Sequence, residues 1–194
     1  MEKLLFLDKG LRQIFSDEDT FSFAKNIDGR VFRKYENRIT KQIEIHDKSY
    51  FIKFHGAVGW KEIFKNLLQL KTPVIGAKRE YEALNHLSLH DIPCPPVKAF
   101  GLKGMNPANS SSFLITEELY GTISLEDFFL KGLHKQLSFK EKKKLITDVA
   151  ILIRKMHNIG LNHRDLYLCH IHIKMEINFD NIEIFLIDLH RAQI

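Results

Sequence analysis

Residues 31 to 54 constrain the fold more than any other stretch of the chain. Val31-Phe32-Arg33-Lys34-Tyr35 is a short run rich in β-formers, and Glu36-Asn37 follows it as a turn candidate. Ile39-Thr40-Lys41-Gln42-Ile43-Glu44-Ile45 alternates apolar and polar residues. His46-Asp47-Lys48-Ser49 reads as the next turn, and Tyr50-Phe51-Ile52-Lys53-Phe54 as a third run. Alternation with period two, punctuated by turn residues, predicts an antiparallel meander with one buried face.

Beyond Phe54 the period changes. Ile63, Phe64, Leu67 and Leu68 recur at helical spacing from Trp60 to Leu70, and Thr72-Pro73 should break that helix. Tyr81, Leu84 and Leu87 mark a second helix from Ala77 to about Leu89, which Pro93 ends. Pro96 to Phe100 is a strand candidate, Gly104 to Ser112 a loop, and Phe113-Leu114-Ile115-Thr116 a buried strand. Ser124 opens a helix. Ser138-Phe139-Lys140-Glu141 is a capping box for another, predicted to reach His157 or Asn158 and to stop at Gly160. Strands, helices, strands, helices and a last stretch of strands make an α+β pattern in two lobes, residues 1–120 and 121–194.

Composition narrows the function classes. The 194 residues are 44% apolar and 27% charged, enough for a folded core. The net charge of +5 is spread without a basic tail or arm, which argues against nucleic acid as a partner while allowing anionic ones. The opening Met1-Glu2-Lys3-Leu4-Leu5-Phe6-Leu7-Asp8 is too short for a secretory leader, and no apolar run approaches the ~20 residues of a membrane span. Cys94 and Cys169 make no disulfide framework, and a reducing compartment is expected.

The chemistry concentrates between Leu161 and Arg191. His163-Arg164-Asp165-Leu166-Tyr167-Leu168-Cys169-His170 precedes an apolar arm to Ile177, a turn over 178–181, and a second arm that ends in Asp188-Leu189-His190-Arg191. Arms of similar length predict an antiparallel hairpin with His170 opposite Asp188, their Cα atoms about 4.5 to 5.5 Å apart. With Asp165 just before the hairpin, two carboxylates and an imidazole converge as a metal and general-base arrangement. A zinc site from Cys169, His170 and His172 is disfavoured, because Cys169 would point away from the two histidines and no fourth ligand has motif spacing.

His163-Arg164-Asp165-Leu166 resembles the kinase catalytic loop H-R-D-L-x-x-x-N, whose Asn position falls on His170. Asp188 falls where the metal-binding Asp of D-F-G belongs, here in Asp188-Leu189-His190. Lys53 in Tyr50-Phe51-Ile52-Lys53 matches the strand lysine, Glu80 in Ala77-Lys78-Arg79-Glu80-Tyr81 its helix partner, and Thr116-Glu117-Glu118-Leu119 the adenine hinge. Together with His55-Gly56-Ala57-Val58-Gly59-Trp60-Lys61-Glu62-Ile63-Phe64 and Pro73-Val74-Ile75-Gly76-Ala77, these segments are similar to the lipopolysaccharide core heptose(I) kinase family over residues 25 to 194.

The resemblance implies a protein-kinase-like fold, its first lobe an antiparallel sheet with helices and its second mostly helical. It also implies ATP-dependent phosphorylation of a heptose hydroxyl on the lipopolysaccharide inner core, at the cytoplasmic face of an inner membrane that the protein contacts peripherally. In that scheme Asp165 is the catalytic base. Lys53, Glu80, Glu117 and Leu119 serve the ATP, and His170 and Asp188 hold Mg²⁺, with Mn²⁺ favoured further if the imidazole coordinates. The lysines at 140, 142, 143 and 144 oppose the dipole of the helix they open, which suggests a role against anionic lipid or substrate.

Two departures from the family stand out. Tyr35-Glu36-Asn37-Arg38 occupies the place of a glycine-rich loop. The chain stops at Ile194, where the family's second lobe continues with further helices. On this reading the second lobe is truncated, and part of the apolar face of the 139–158 helix lacks cover. A non-catalytic nucleotide-binding module, or a kinase acting on another sugar or on protein, fits the same residues.

Overall fold

The computed structural model describes residues 2–12, 15, 20–35, 37–68, 76–104, 106–177 and 179–194. Glu36 and Asn178 of the expected turns, and the expected break at Thr72-Pro73, lie outside the described residues. The chain divides into two units, one running to Tyr81 and resuming at Pro96–Glu118, the other comprising Glu82–Pro95 and Leu119–Ile194.

The first unit is built on the meander. Strands β1 (Glu2–Leu7), β2 (Arg30–Tyr35), β3 (Arg38–Ile45), β4 (Lys48–His55), β5 (Val97–Lys103) and β6 (Ser111–Glu117) form one sheet in the order β1-β5-β6-β4-β3-β2. Every neighbouring pair is antiparallel. The β3–β4 turn is tighter than the expected four residues. Ile45 pairs with Lys48, and His46 and Asp47 take φ of 49° and 59°, the left-handed pair that suits the twist of a two-residue hairpin.

Alternation divides the sheet into two faces. Ile43, Ile45, Tyr50, Ile52, Phe54, Ala99, Phe113 and Ile115 lie on one face, packed against Leu11, Phe15 and the helix α1 (Thr20–Asn26) through Phe21 and Ala24. Sequence patterning marks neither β1 nor α1, because each is short and its apolar residues follow no clear period. Phe113 sits at the centre, fully buried, with the rings of Phe15 and Phe21 against it. Gly101 is there because nothing larger fits: a Cβ would stand 2.4 Å from the Phe113 ring. Gly101→Ala should therefore destabilise the protein by about 1 to 3 kcal/mol through overpacking. A lower midpoint in chemical denaturation at unchanged slope would show it.

Helix α2 (Trp60–Leu68) follows β4, and helix α3 (Lys78–Leu89) follows Gly76. The start of α3 is capped from a distance, since the Ser112 hydroxyl on β6 accepts from the Ala77 N–H at 2.8 Å. The buried positions of α3 are Glu80, Ala83, Leu84 and Leu87, so a carboxylate stands in an otherwise apolar stripe.

The second unit holds α4 (Leu125–Leu130), α5 (Phe139–Asn158) and a sheet of β7 (Thr122–Ser124), β8 (Ile171–Lys174) and β9 (Ile184–Leu186) in the order β7-β8-β9. The Ser138 capping box forms with both reciprocal bonds, and Gly160 takes φ of 80° just past the helix. Leu145, Leu152 and Met156 of α5 are buried, whereas Phe139, Ile146 and Ile151 are exposed. No helix among the described residues is long and apolar enough to cross a membrane.

Candidate active site

In the first unit, Lys53 and Glu80 meet. Strand β4 buries Tyr50, Ile52 and Phe54 on the core face, which turns Lys53 to the other face. There its ammonium donates to Glu80 Oε1 at 2.6 Å. The Glu80 side chain is 3% exposed and that of Lys53 20%, so a mostly desolvated pair is held on this face. Glu117 ends β6, where its carboxylate pairs with Lys98 at 2.8 Å and its N–H donates to the Pro96 carbonyl. The bond to Glu117 holds the Lys98 ammonium above its ordinary range. Leu119 begins the second stretch of the other unit, and its carbonyl accepts from the Thr122 hydroxyl.

In the second unit the expected hairpin forms with a different register. Ile171 pairs with Leu186 and Ile173 with Ile184, which sets Ile187, not Asp188, opposite His170. The two side chains meet all the same. Asp188 leaves the strand direction with φ of 58°, and its Oδ2 comes to 3.5 Å from His170 Nε2. Arg164 likewise has φ of 64°, a sparsely populated conformation for a non-glycine residue, and it sets the bend that delivers Asp165.

Hydrogen bonds define the imidazoles. His170 Nδ1 lies 2.6 Å from the Asp165 carbonyl, so that nitrogen donates to it, and Nε2 is the nitrogen turned toward Asp188. His163 is buried, its Nε2–H donates to the Ile187 carbonyl, and burial pushes its basicity below the ordinary range. It acts as a neutral structural tie between the bend at 163–165 and the hairpin. The Thr122 hydroxyl, which donates to the Leu119 carbonyl, accepts from His172 Nδ1–H. Among the described residues no group of three His, Cys, Asp or Glu side chains is placed to hold a metal on its own. His170 Nε2 and Asp188 Oδ2 are two converging donors that would suit a divalent cation. Burial pushes the Cys94 thiol up to about 11, as befits an inert packing residue.

Two residues at this site carry no signal in the sequence. Arg191 Nη1 donates to Asp165 Oδ1 at 2.9 Å. His190 lies between the carboxylates, its Nδ1 3.2 Å from Asp188 Oδ1 and its Nε2 3.8 Å from Asp165 Oδ2. The only hint is their position directly after Asp188-Leu189. The Asp165 side chain is thus 11% exposed, fixed on one oxygen by a guanidinium. Its other oxygen faces an imidazole at a looser distance.

A strand lysine on a buried helix glutamate, and a bent loop that carries Asp165 into an aspartate-tipped hairpin, define a kinase-like protein. The chain belongs to the lipopolysaccharide kinase (Kdo/WaaP) family, whose model matches residues 24–194. It is 44% identical to the lipopolysaccharide core heptose(I) kinase WaaP of Escherichia coli K12, over 97% of this chain and 72% of that protein. Its identity to the Pseudomonas aeruginosa protein of the same name is 36%, over 97% and 71% of the two chains. A solved structure of WaaP in complex with acyl carrier protein superposes with a TM-score of 0.82 at 30% identity, covering 98% of this chain and 72% of that one. Membership in this family implies ATP and a divalent metal.

Proposed function

We propose that this chain phosphorylates a heptose hydroxyl of the lipopolysaccharide inner core, with ATP as donor. The observation that carries the reading is the Asp165 carboxylate, pinned by Arg191 beside the His170–Asp188 pair. Asp165 orients the acceptor hydroxyl and takes its proton. Lys53, positioned by Glu80, engages the ATP phosphates, with Glu117 and Leu119 in the segment that takes the adenine. His170 Nε2 and Asp188 would hold the divalent cation, Mg²⁺ or Mn²⁺, which supplies neutralisation of phosphate charge when bound. Because phosphoryl transfer runs through a loose transition state, positioning and charge neutralisation provide most of the acceleration.

The substrate is a glycolipid, so the protein works in peripheral contact with the cytoplasmic face of the inner membrane. Exposed Lys140 and Lys143, beside exposed Phe139 at the start of α5, support that part of the reading.

The test is transfer of label from γ-labelled ATP to dephosphorylated inner-core lipopolysaccharide, intact lipopolysaccharide and a generic protein, side by side. Label confined to the dephosphorylated glycolipid is expected; label on the protein alone, or nowhere, overturns the proposal. The metal assignment has its own check. A nitrogen ligand tilts selectivity toward transition ions, so Mn²⁺ should serve at least as well as Mg²⁺, and His170→Asn should move the preference back toward Mg²⁺. Metal titrations that are identical for the two proteins would place His170 away from the ion.

A further inference from the structure

The strand turn that lacks a glycine-rich loop raises the question of what holds the phosphates on the sheet. Asn37 ties this turn down, its carbonyl accepting from the Gly56 N–H and its side-chain amide donating to the Ala57 carbonyl. Its carbonyl and side chain are therefore engaged with the exit of β4. The side chains of the same hairpin offer a different device. In the sheet register Arg33 stands opposite Thr40, and Thr40 opposite Lys53. Tyr35 stands opposite Arg38, and Arg38 opposite His55.

Directly opposed residues share a face of a sheet, and so do residues two apart on one strand. Arg33, Arg38 and Lys53 therefore stand on one face, around the small side chain of Thr40. At the ~4.8 Å spacing of neighbouring strands, Arg33 and Lys53 lie about 10 Å apart at the backbone. Long side chains can close on a group held between them across that distance.

This is the face that carries the Lys53–Glu80 pair, away from the core packed on α1. Arg33 is exposed, and Arg38 is half-buried with its guanidinium over the Tyr35 ring at 5.9 Å. The same face carries an aromatic floor further along: Phe32 meets Phe51 edge to face at 5.2 Å, with Arg30 over the Phe32 ring. Strand β2 buries none of its side chains, although Val31, Phe32 and Tyr35 are large and apolar. An edge strand with no buried residue that places cations beside a functional lysine is arranged for a ligand rather than for the core.

We infer that Arg33 and Arg38 bind the polyphosphate of the nucleotide with their side chains, in place of the backbone amides of a glycine-rich loop. The inference rests on the nucleotide reading of Lys53 above. Guanidinium groups suit it, because their fork of donors matches phosphate oxygens and their charge does not depend on pH.

Competition of ATP, ADP and adenosine against a fluorescent ATP analogue tests this in the full chain. Arg33→Ala and Arg38→Ala should each weaken ATP binding by roughly tenfold, the double variant more, with adenosine affinity unchanged. Arg33→Ala removes no side-chain hydrogen bond or ion pair among the described residues, so a nearly unchanged melting temperature is expected with it. A double variant that binds ATP within threefold of the parent overturns the inference and leaves the kinase reading standing. So does a variant that loses adenosine as steeply as ATP. A parent protein that binds no ATP overturns both.

Discussion

Asp165→Ala should abolish most phosphoryl transfer while leaving nucleotide affinity nearly unchanged. On the proposed assignment the carboxylate acts on the acceptor's proton and not on ATP, and a positioned base contributes typically 10² to 10⁴ in rate. The structure indicates why the loss should be kinetic rather than structural. The main polar partner given up is Arg191, whose side chain is 41% exposed and can return to water. The backbone bonds of this bend, from the Asp165 N–H to the His163 carbonyl and from the Tyr167 N–H to the Asp165 carbonyl, do not depend on the side chain. Single-turnover transfer measured beside a nucleotide titration separates the two effects. Transfer within about threefold of the parent would falsify the role given to Asp165.

The second large effect is on stability. Lys53→Met should cost on the order of 3 to 5 kcal/mol, because it strands a buried carboxylate. Glu80 is 3% exposed; Lys53 holds Oε1, and Oε2 has no partner among the described residues. With domain stabilities of about 5 to 15 kcal/mol, a loss of that size is a large part of the total. Removing both charges should be milder than removing one, so Lys53→Met combined with Glu80→Leu should regain much of the loss. Denaturation curves of the two single variants and the double variant supply the cycle. Costs that simply add would mean that the two side chains act independently, contrary to the 2.6 Å contact. Lys53→Met and the double variant should both lose transfer, since each removes the lysine.

Much of the site is legible in the residues themselves. Asp165, His170 and Asp188 stand within one short segment, and the hairpin that joins two of them shows in apolar arms about a turn. The register differs from the expected one because equal arm lengths locate a turn only to within a residue, and one residue shifts every opposed pair. Convergence of His170 and Asp188 survives the shift because Asp188 adopts a left-handed φ, which alternation cannot anticipate. Arg191 and His190 escape sequence reasoning for a related reason. Both come after β9, and their approach to Asp165 depends on how the chain turns back after the hairpin. The distant cap on α3 is equally hidden, since Ser112 has no local relation to Ala77.

The sequence by itself determined the features whose causes lie within a few residues: the meander, the span of α5, its capping box and its glycine stop. Periodicity and capping act over one turn or one strand pair, so composition at close spacing is sufficient to specify them. Tertiary structure decided which of the charged groups became partners. Lys53 and Glu80 are 27 residues apart in sequence, and Asp165 and Arg191 are 26 apart. In each case a charge reaches its counterpart only after the intervening chain has folded into strands, turns and helices. An ion pair across that separation is a property of the path between the residues, and no local pattern encodes the path.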